Sequence, residues 1–111
     1  LFSIFVTMEL LHIALLQYDI AWEQPAINMH TIEVMLASIT KPVDVIVLPE
    51  MYNTGFGNNT ALAVAMDSED VLFLKNIASS HQVLVIASLM IEEHNNYYNR
   101  LLAFYPDEKT K

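Results

Sequence analysis

No cysteine occurs among the 111 residues, which excludes a disulfide framework, a thiolate zinc site and a cysteine nucleophile within this chain. Basic residues are scarce, five against thirteen acids, for a formal net charge of −8. That sign argues against nucleic acid or an anionic membrane surface as a partner. No run reaches the ~20 apolar residues of a membrane span, and the apolar opening "LFSIFVT" has no basic flank and is followed by Glu9 and His12. A soluble, cytoplasmic protein is the expectation. Glycine is almost absent; Gly55 and Gly57 are the whole supply, and they share one loop. What is abundant is apolar side chain, 54% hydrophobic residues against 16% charged, which suits one compact core rather than disorder. Residues 1–7, ahead of Met8, are expected to be a translated leader, a scar or the end of something longer, with the domain over 8–111.

Apolar runs and their punctuation give the element order. "ELLHIALLQYDI" is short and largely apolar, as a strand covered on both faces is, and predicts a first strand over Leu10 to Gln17. Met29, Ile32, Leu36 and Ile39 then recur at helical spacing, with Asn28, Glu33 and Thr40 off that line and Pro25 suited to the first turn. "KPVDVIVLPE" predicts a strand at Val43 to Leu48 in which Asp44 alone is polar. Strand, helix and strand in that order imply parallel pairing through a right-handed crossover. Ser68 is placed to cap a second helix, with Glu69 and Asp70 near its positive end and Val71, Leu74 and Ala78 on the buried side. "QVLVIASLMI" predicts a third strand, "EEHNN" a turn and "YYNRLLAFYP" an antiparallel fourth strand. The class is α/β, in the order βαβαββ.

In "VIVLPEMYNTGFG" the second strand runs into Pro49 and Glu50, and both glycines follow. A carboxylate there stands at the carboxyl end of a buried parallel strand, where open α/β sheets hold their ligand crevices. Pro49 fixes the backbone before it, and Leu48 and Met51 would shield it from water, a setting that suits a general base. Glu50 is the candidate catalytic residue, expected to project into a concave site; the plainer account is a solvated carboxylate just past a strand. Tyr52 fits two roles, a wall of the substrate pocket or an aromatic plug at the base of the loop.

Other polar clusters carry less. His30 and Glu33 share a helix at a spacing open to a metal, but no second ligand pair accompanies them. Glu92, Glu93 and His94 could hold a cation, yet as a hairpin turn they need none. Ser79, Ser80 and His81 close a helix without a nucleophile-elbow signature. "QYDIAWEQP" has no glycine to cradle a phosphate after the first strand, which counts against a flavodoxin-like binding domain. No metal and no cofactor are expected.

Four segments together, "IALLQYDIAWEQPAINM", "DVIVLPEMYNTGF", "VLVIASLMI" and "YYNRLLAFYPDEK", resemble in order and spacing the amino-terminal part of the nitrilase or carbon–nitrogen hydrolase superfamily. "LPEMYNTGF" looks most like the omega-amidase branch, which acts on omega-amides of dicarboxylic and keto acids. The resemblance covers nearly everything from Leu10 onward and implies a four-layer αββα sandwich with a glutamate, lysine and cysteine triad. Glu50 matches the glutamate, the general base towards the thiol. In the family the cysteine attacks an amide or nitrile carbon, the lysine stabilises the tetrahedral intermediate, ammonia leaves, and water hydrolyses the thioester. Those types are needed because a thiol is weakly ionised at neutral pH and the oxyanion requires a fixed cation. Asn99 matches an asparagine of the family's "YNR"-like strand, for which an architectural role is implied.

The departures from the family are equally specific. A lysine motif of the kind "YDKxHL" is missing, and Lys109 and Lys111 fall upstream of its position. The resemblance therefore implies a fragment: residues 8–111 as an incomplete hydrolase domain, inactive alone, with Glu50 as the only triad member. Its implied partners are a small-molecule amide substrate and, in the complete protein, further copies in a homo-oligomer, with no nucleic acid and no membrane. A second reading, from another class, is a catalytically silent α/β interaction module that pairs with a full-length relative. Either way, strands such as "VIVL" have almost no polar alternation, so the face left uncovered by two helices should stay apolar.

Overall fold

A computed structural model describes residues 9–106; the expected leader over residues 1–7, and Lys109 and Lys111, lie outside the described residues. In chain order the elements are β1 (Ile13–Leu15), α1 (Pro25–Ala37), β2 (Val45–Val47), a 3-10 turn (Thr60–Leu62), α2 (Glu69–His81), β3 (Leu84–Glu93) and β4 (Asn96–Phe104). The four strands form one sheet in the order β1-β2-β3-β4. β1, β2 and β3 run parallel, and β4 returns antiparallel to β3.

β1 and β2 are shorter than their apolar runs suggested, for a reason that lies in Asp44. Its carboxylate accepts the His12 N–H at 2.8 Å, while the Asp44 and Val45 N–H groups both donate to the His12 carbonyl. A side chain thus takes a place the backbone would hold, and the ladder begins only at Ile13 and Val45. α1 starts on Pro25, whose missing N–H costs nothing at that position. It stops at Ala37, so Ile39 packs on the core from beyond the helix end. At α2 the Ser68 hydroxyl accepts from Val71 N–H, and Gln82, not glycine, takes the left-handed closing position. The β3–β4 turn has His94 and Asn95 both at positive φ, which suits the twist of a tight hairpin.

Strand pairing fixes two unlike faces. Ala14, Ile46, Leu48, Val85, Ala87, Leu89, Ile91 and Phe104 join Ile32 and Leu36 of α1 and Val71, Leu74, Ile77 and Ala78 of α2 in one core. Both helices therefore cover the same face. The opposite face carries Ile13, Leu15, Val47, Ile86 and Leu101, and no described helix lies over it.

Candidate active site

The loop after β2 continues along β3, and its hydrogen bonds climb alternate carbonyls. Leu48 N–H donates to Ile86 O (3.0 Å), Tyr52 N–H to Ser88 O (3.2 Å) and Val64 N–H to Met90 O (3.0 Å). In a regular parallel ladder residue 50 would take the Ser88 carbonyl. The chain uses residue 52 instead, so two extra residues are extruded between Leu48 and Tyr52. Pro49, without an N–H, begins the departure, and Met51 at φ 48° turns the chain back. Met51 N–H donates to the Ser88 hydroxyl at 3.0 Å, which pins the bulge to β3.

This bulge sends Glu50 and Tyr52 to different places. Glu50 borders a concavity of about 340 Å³ on the open face, together with Val47, Leu48, Ile86, Ser88, Asn99 and Leu101. Its Oε2 accepts from Asn99 Nδ2 at 2.8 Å. The carboxylate is exposed, so the expected shielding by Leu48 and Met51 is absent. Leu48 packs into the helix-side core, and Met51 lines a separate concavity with Phe56, Met90 and Tyr97.

Tyr52, expected either in a pocket wall or as a plug, has the geometry of the plug. It is fully buried in the helix-side core, with its ring 6.2 Å from that of Phe73. Its hydroxyl donates to the Asp70 carbonyl at 2.7 Å. Burial first, then the Asp70 charge and the neighbouring Tyr18, push the phenol well above its ordinary range. Nothing in that position offers contact with a substrate in the Glu50 concavity.

The loop that carries Glu50 is held by residues the sequence reading passed over. Asn28, placed off the buried stripe of α1, is 1% exposed. Its carbonyl accepts from Ala21 N–H, and its amide donates to the Ala21 and Asn53 carbonyls, all at 2.7–2.8 Å. Asn53 donates to the Asp70 carboxylate at 2.8 Å, and Tyr18 donates to the Tyr52 carbonyl at 2.8 Å. The Trp22 ring lies against Gly55 and Gly57 so closely that a Cβ at either would fall within 2.8 Å of it. A polar residue at the edge of a helix stripe and a lone Trp before Pro25 were the available signals.

The remaining candidates stay apart. Among the described residues no three His, Cys, Asp or Glu side chains are grouped to hold a metal ion. His30 and Glu33 are exposed on α1. Of the turn residues, Glu93 pairs with Arg100 at 3.1 Å, and that hydrogen bond, aided by the guanidinium charge, holds its carboxyl below the usual range. Ser79 and Ser80 bond locally at the end of α2, with Ser80 donating to the Asn76 carbonyl.

The model of the carbon-nitrogen hydrolase family matches residues 12–111. The chain is 32% identical over 100 residues to omega-amidase YafV of Yersinia enterocolitica, covering 90% of this chain and 39% of that protein. It is likewise 32% identical over 92 residues to 2-oxoglutaramate amidase of Bacillus subtilis, covering 80% and 36%. A solved structure from Xanthomonas campestris, a CN-hydrolase superfamily protein with an arsenic adduct in its active site, superposes with a TM-score of 0.84 at 29% identity. That match covers 90% of this chain and 38% of the other. The chain thus spans less than two fifths of the length of these relatives.

Proposed function

Because the chain belongs to the carbon-nitrogen hydrolase family, we propose that it supplies the glutamate corner of a hydrolase that cleaves a non-peptide carbon–nitrogen bond in a small linear amide. The observation that carries this reading is the extruded Pro49–Met51 segment, which stands Glu50 at a strand end beside a concavity of about 340 Å³. A carboxylate so placed can take the proton of an attacking thiol and return it to departing ammonia. The 111 residues hold neither a cysteine nor the family's lysine motif, so the thiol and the oxyanion-stabilising lysine would come from other polypeptide. The two amidases at 32% identity favour an omega-amide of a dicarboxylic or keto acid as substrate. The same lack of a thiol favours a second reading, a catalytically silent module that keeps the sheet and pairs with a full-length relative.

Ammonia release from several small omega-amides is the test. The 111-residue chain at high concentration should give none above a buffer blank; sustained turnover would overturn the triad assignment. Reading the coding sequence past Lys111 for an in-frame lysine motif and a cysteine separates the hydrolase from the silent module. In a catalytically competent protein, Glu50→Gln should keep the fold and lose roughly 10²–10⁴ in rate, the usual contribution of a positioned base. An unchanged rate would remove Glu50 from the mechanism.

A further inference from the structure

We propose that Asn99 is the positioning residue of Glu50: its side-chain amide holds one carboxylate oxygen and leaves the other as the proton acceptor. The inference rests on the reading of Glu50 as the base and adds what fixes that base in place.

The contact joins residues 49 apart in sequence, with Asn99 Nδ2 at 2.8 Å from Glu50 Oε2. Among the described residues Glu50 Oε1 accepts no hydrogen bond. Asn99 stands opposite Met90 in the β3–β4 ladder, and Ser88 stands opposite Leu101, so Ser88 and Asn99 share the open face. Ser88 holds the backbone on the far side of Glu50, through Met51 N–H to its hydroxyl and Tyr52 N–H to its carbonyl. One hairpin thus sets both the backbone and the carboxylate of the same residue. Asparagine is a poor strand former, and its neighbours on this face, Met90 and Leu101, are apolar. Its bond to Glu50 gives that position a reason.

The chemistry favours an amide over a cation. A lysine or arginine at 2.8 Å would hold the carboxylate as an ion pair and favour its charged form, weakening it as a proton acceptor. An amide N–H fixes orientation and has no proton to surrender, so a proton taken by Glu50 stays on Glu50 until the leaving group needs it. A glutamate has three side-chain torsions, and misplacing a reacting group by about 1 Å can cost ~10²-fold in rate.

The test reads the bond on the labelled 111-residue chain, in solution or, if the chain sediments, by magic-angle-spinning NMR. A through-space correlation should join the Asn99 side-chain amide to the Glu50 carboxyl carbon, and the amide resonance should shift in Glu50→Gln. In Asn99→Ala, and in Asn99→Asp, which keeps the shape but loses the donor when ionised, the Glu50 side chain should change from one rotamer to several with the melting profile retained. An Asn99 amide indifferent to Glu50, or a Glu50 rotamer unchanged in both variants, overturns the proposal. In a competent protein, Asn99→Ala should lower kcat by ~10–10²-fold with KM unchanged, and Glu50→Gln/Asn99→Ala should be no slower than Glu50→Gln. Full activity of Glu50→Gln would overturn the base reading while the NMR result on the Asn99 contact still stands.

Discussion

Asn28 shows how much of this site depends on a residue that patterning assigns to solvent. Its three hydrogen bonds tie α1 to Ala21 and to Asn53, on the loop that also bears Glu50. Those partners are 7 and 25 residues away, so a helical stripe alone gives no hint of them. Asn28→Leu strands the Ala21 N–H and the Asn53 carbonyl, and unpaired buried groups cost about 1–3 kcal/mol each. A loss of about 2–4 kcal/mol in denaturant unfolding is expected; a change below about 0.5 kcal/mol would mean water replaces the side chain. Tyr52 carries a pH prediction of definite sign. Its phenol, like that of Tyr18, is pushed up by burial, so the folded state binds the phenolic proton more tightly than the unfolded chain. That stability is complete below about pH 10, the unfolded phenol's range, and falls as pH rises beyond it. Melting temperature should therefore drop between pH 9 and 11, approximate limits set by that phenol, and drop less steeply in Tyr52→Phe.

The elements themselves were legible where apolar runs are bounded by turn residues. Both helices, the antiparallel hairpin at His94 and Asn95, and the parallel pairing of β1, β2 and β3 follow from "EEHNN", Ser68, Pro25 and the alternation of strand and helix. The β2–α2 connection was legible only as a place that needs glycine. Its path depends on long-range bonds: Tyr52 and Val64 add to β3 at alternate carbonyls, and Trp22 covers both glycines. The two glycines should respond differently to alanine. Gly55 has φ +87°, so Gly55→Ala combines backbone strain with a Cβ 2.8 Å from the Trp22 ring, and should cost about 1–3 kcal/mol. Gly57 has only the ring contact, 2.7 Å. The Trp22 ring is exposed and can swing out, so Gly57→Ala should cost about 1 kcal/mol or less. Trp22 is the single tryptophan, and its fluorescence reports the movement directly. A red shift in Gly57→Ala with nearly unchanged stability is expected; an unshifted spectrum would mean the backbone yields instead of the ring.

For the whole molecule, the consequence of two unlike sheet faces is a question of association. The helices bury Ile46, Leu48, Val85, Ala87 and Leu89, while on the other side Leu15 remains 74% exposed, Leu101 70% and Ile13 52%. Period-two alternation is missing from β2 and β3, and sequence alone could tell that both faces are apolar but not which face the helices choose. That choice is made by Leu36, Leu74 and their neighbours packing on the Val85 side. Relatives such as the Yersinia omega-amidase are more than twice as long as the matched segment, so they have further polypeptide with which to cover such a face. Each Å² of apolar surface left in water forgoes about 25 cal/mol, and a patch of several hundred Å² is of the size that marks interaction surfaces. The 111-residue chain should therefore self-associate at micromolar concentration through the Leu15–Leu101 face, with dye binding and a broad melt. Leu15→Glu with Leu101→Glu puts charges in that face without touching the helix-side core, and should shift sedimentation towards the monomer. Association unaffected by the pair would place the contact elsewhere, at a sheet edge for instance. A wild-type chain that is already a dye-silent monomer with a sharp melt would mean the sheet is covered as it stands, and the silent short module would then become the better reading.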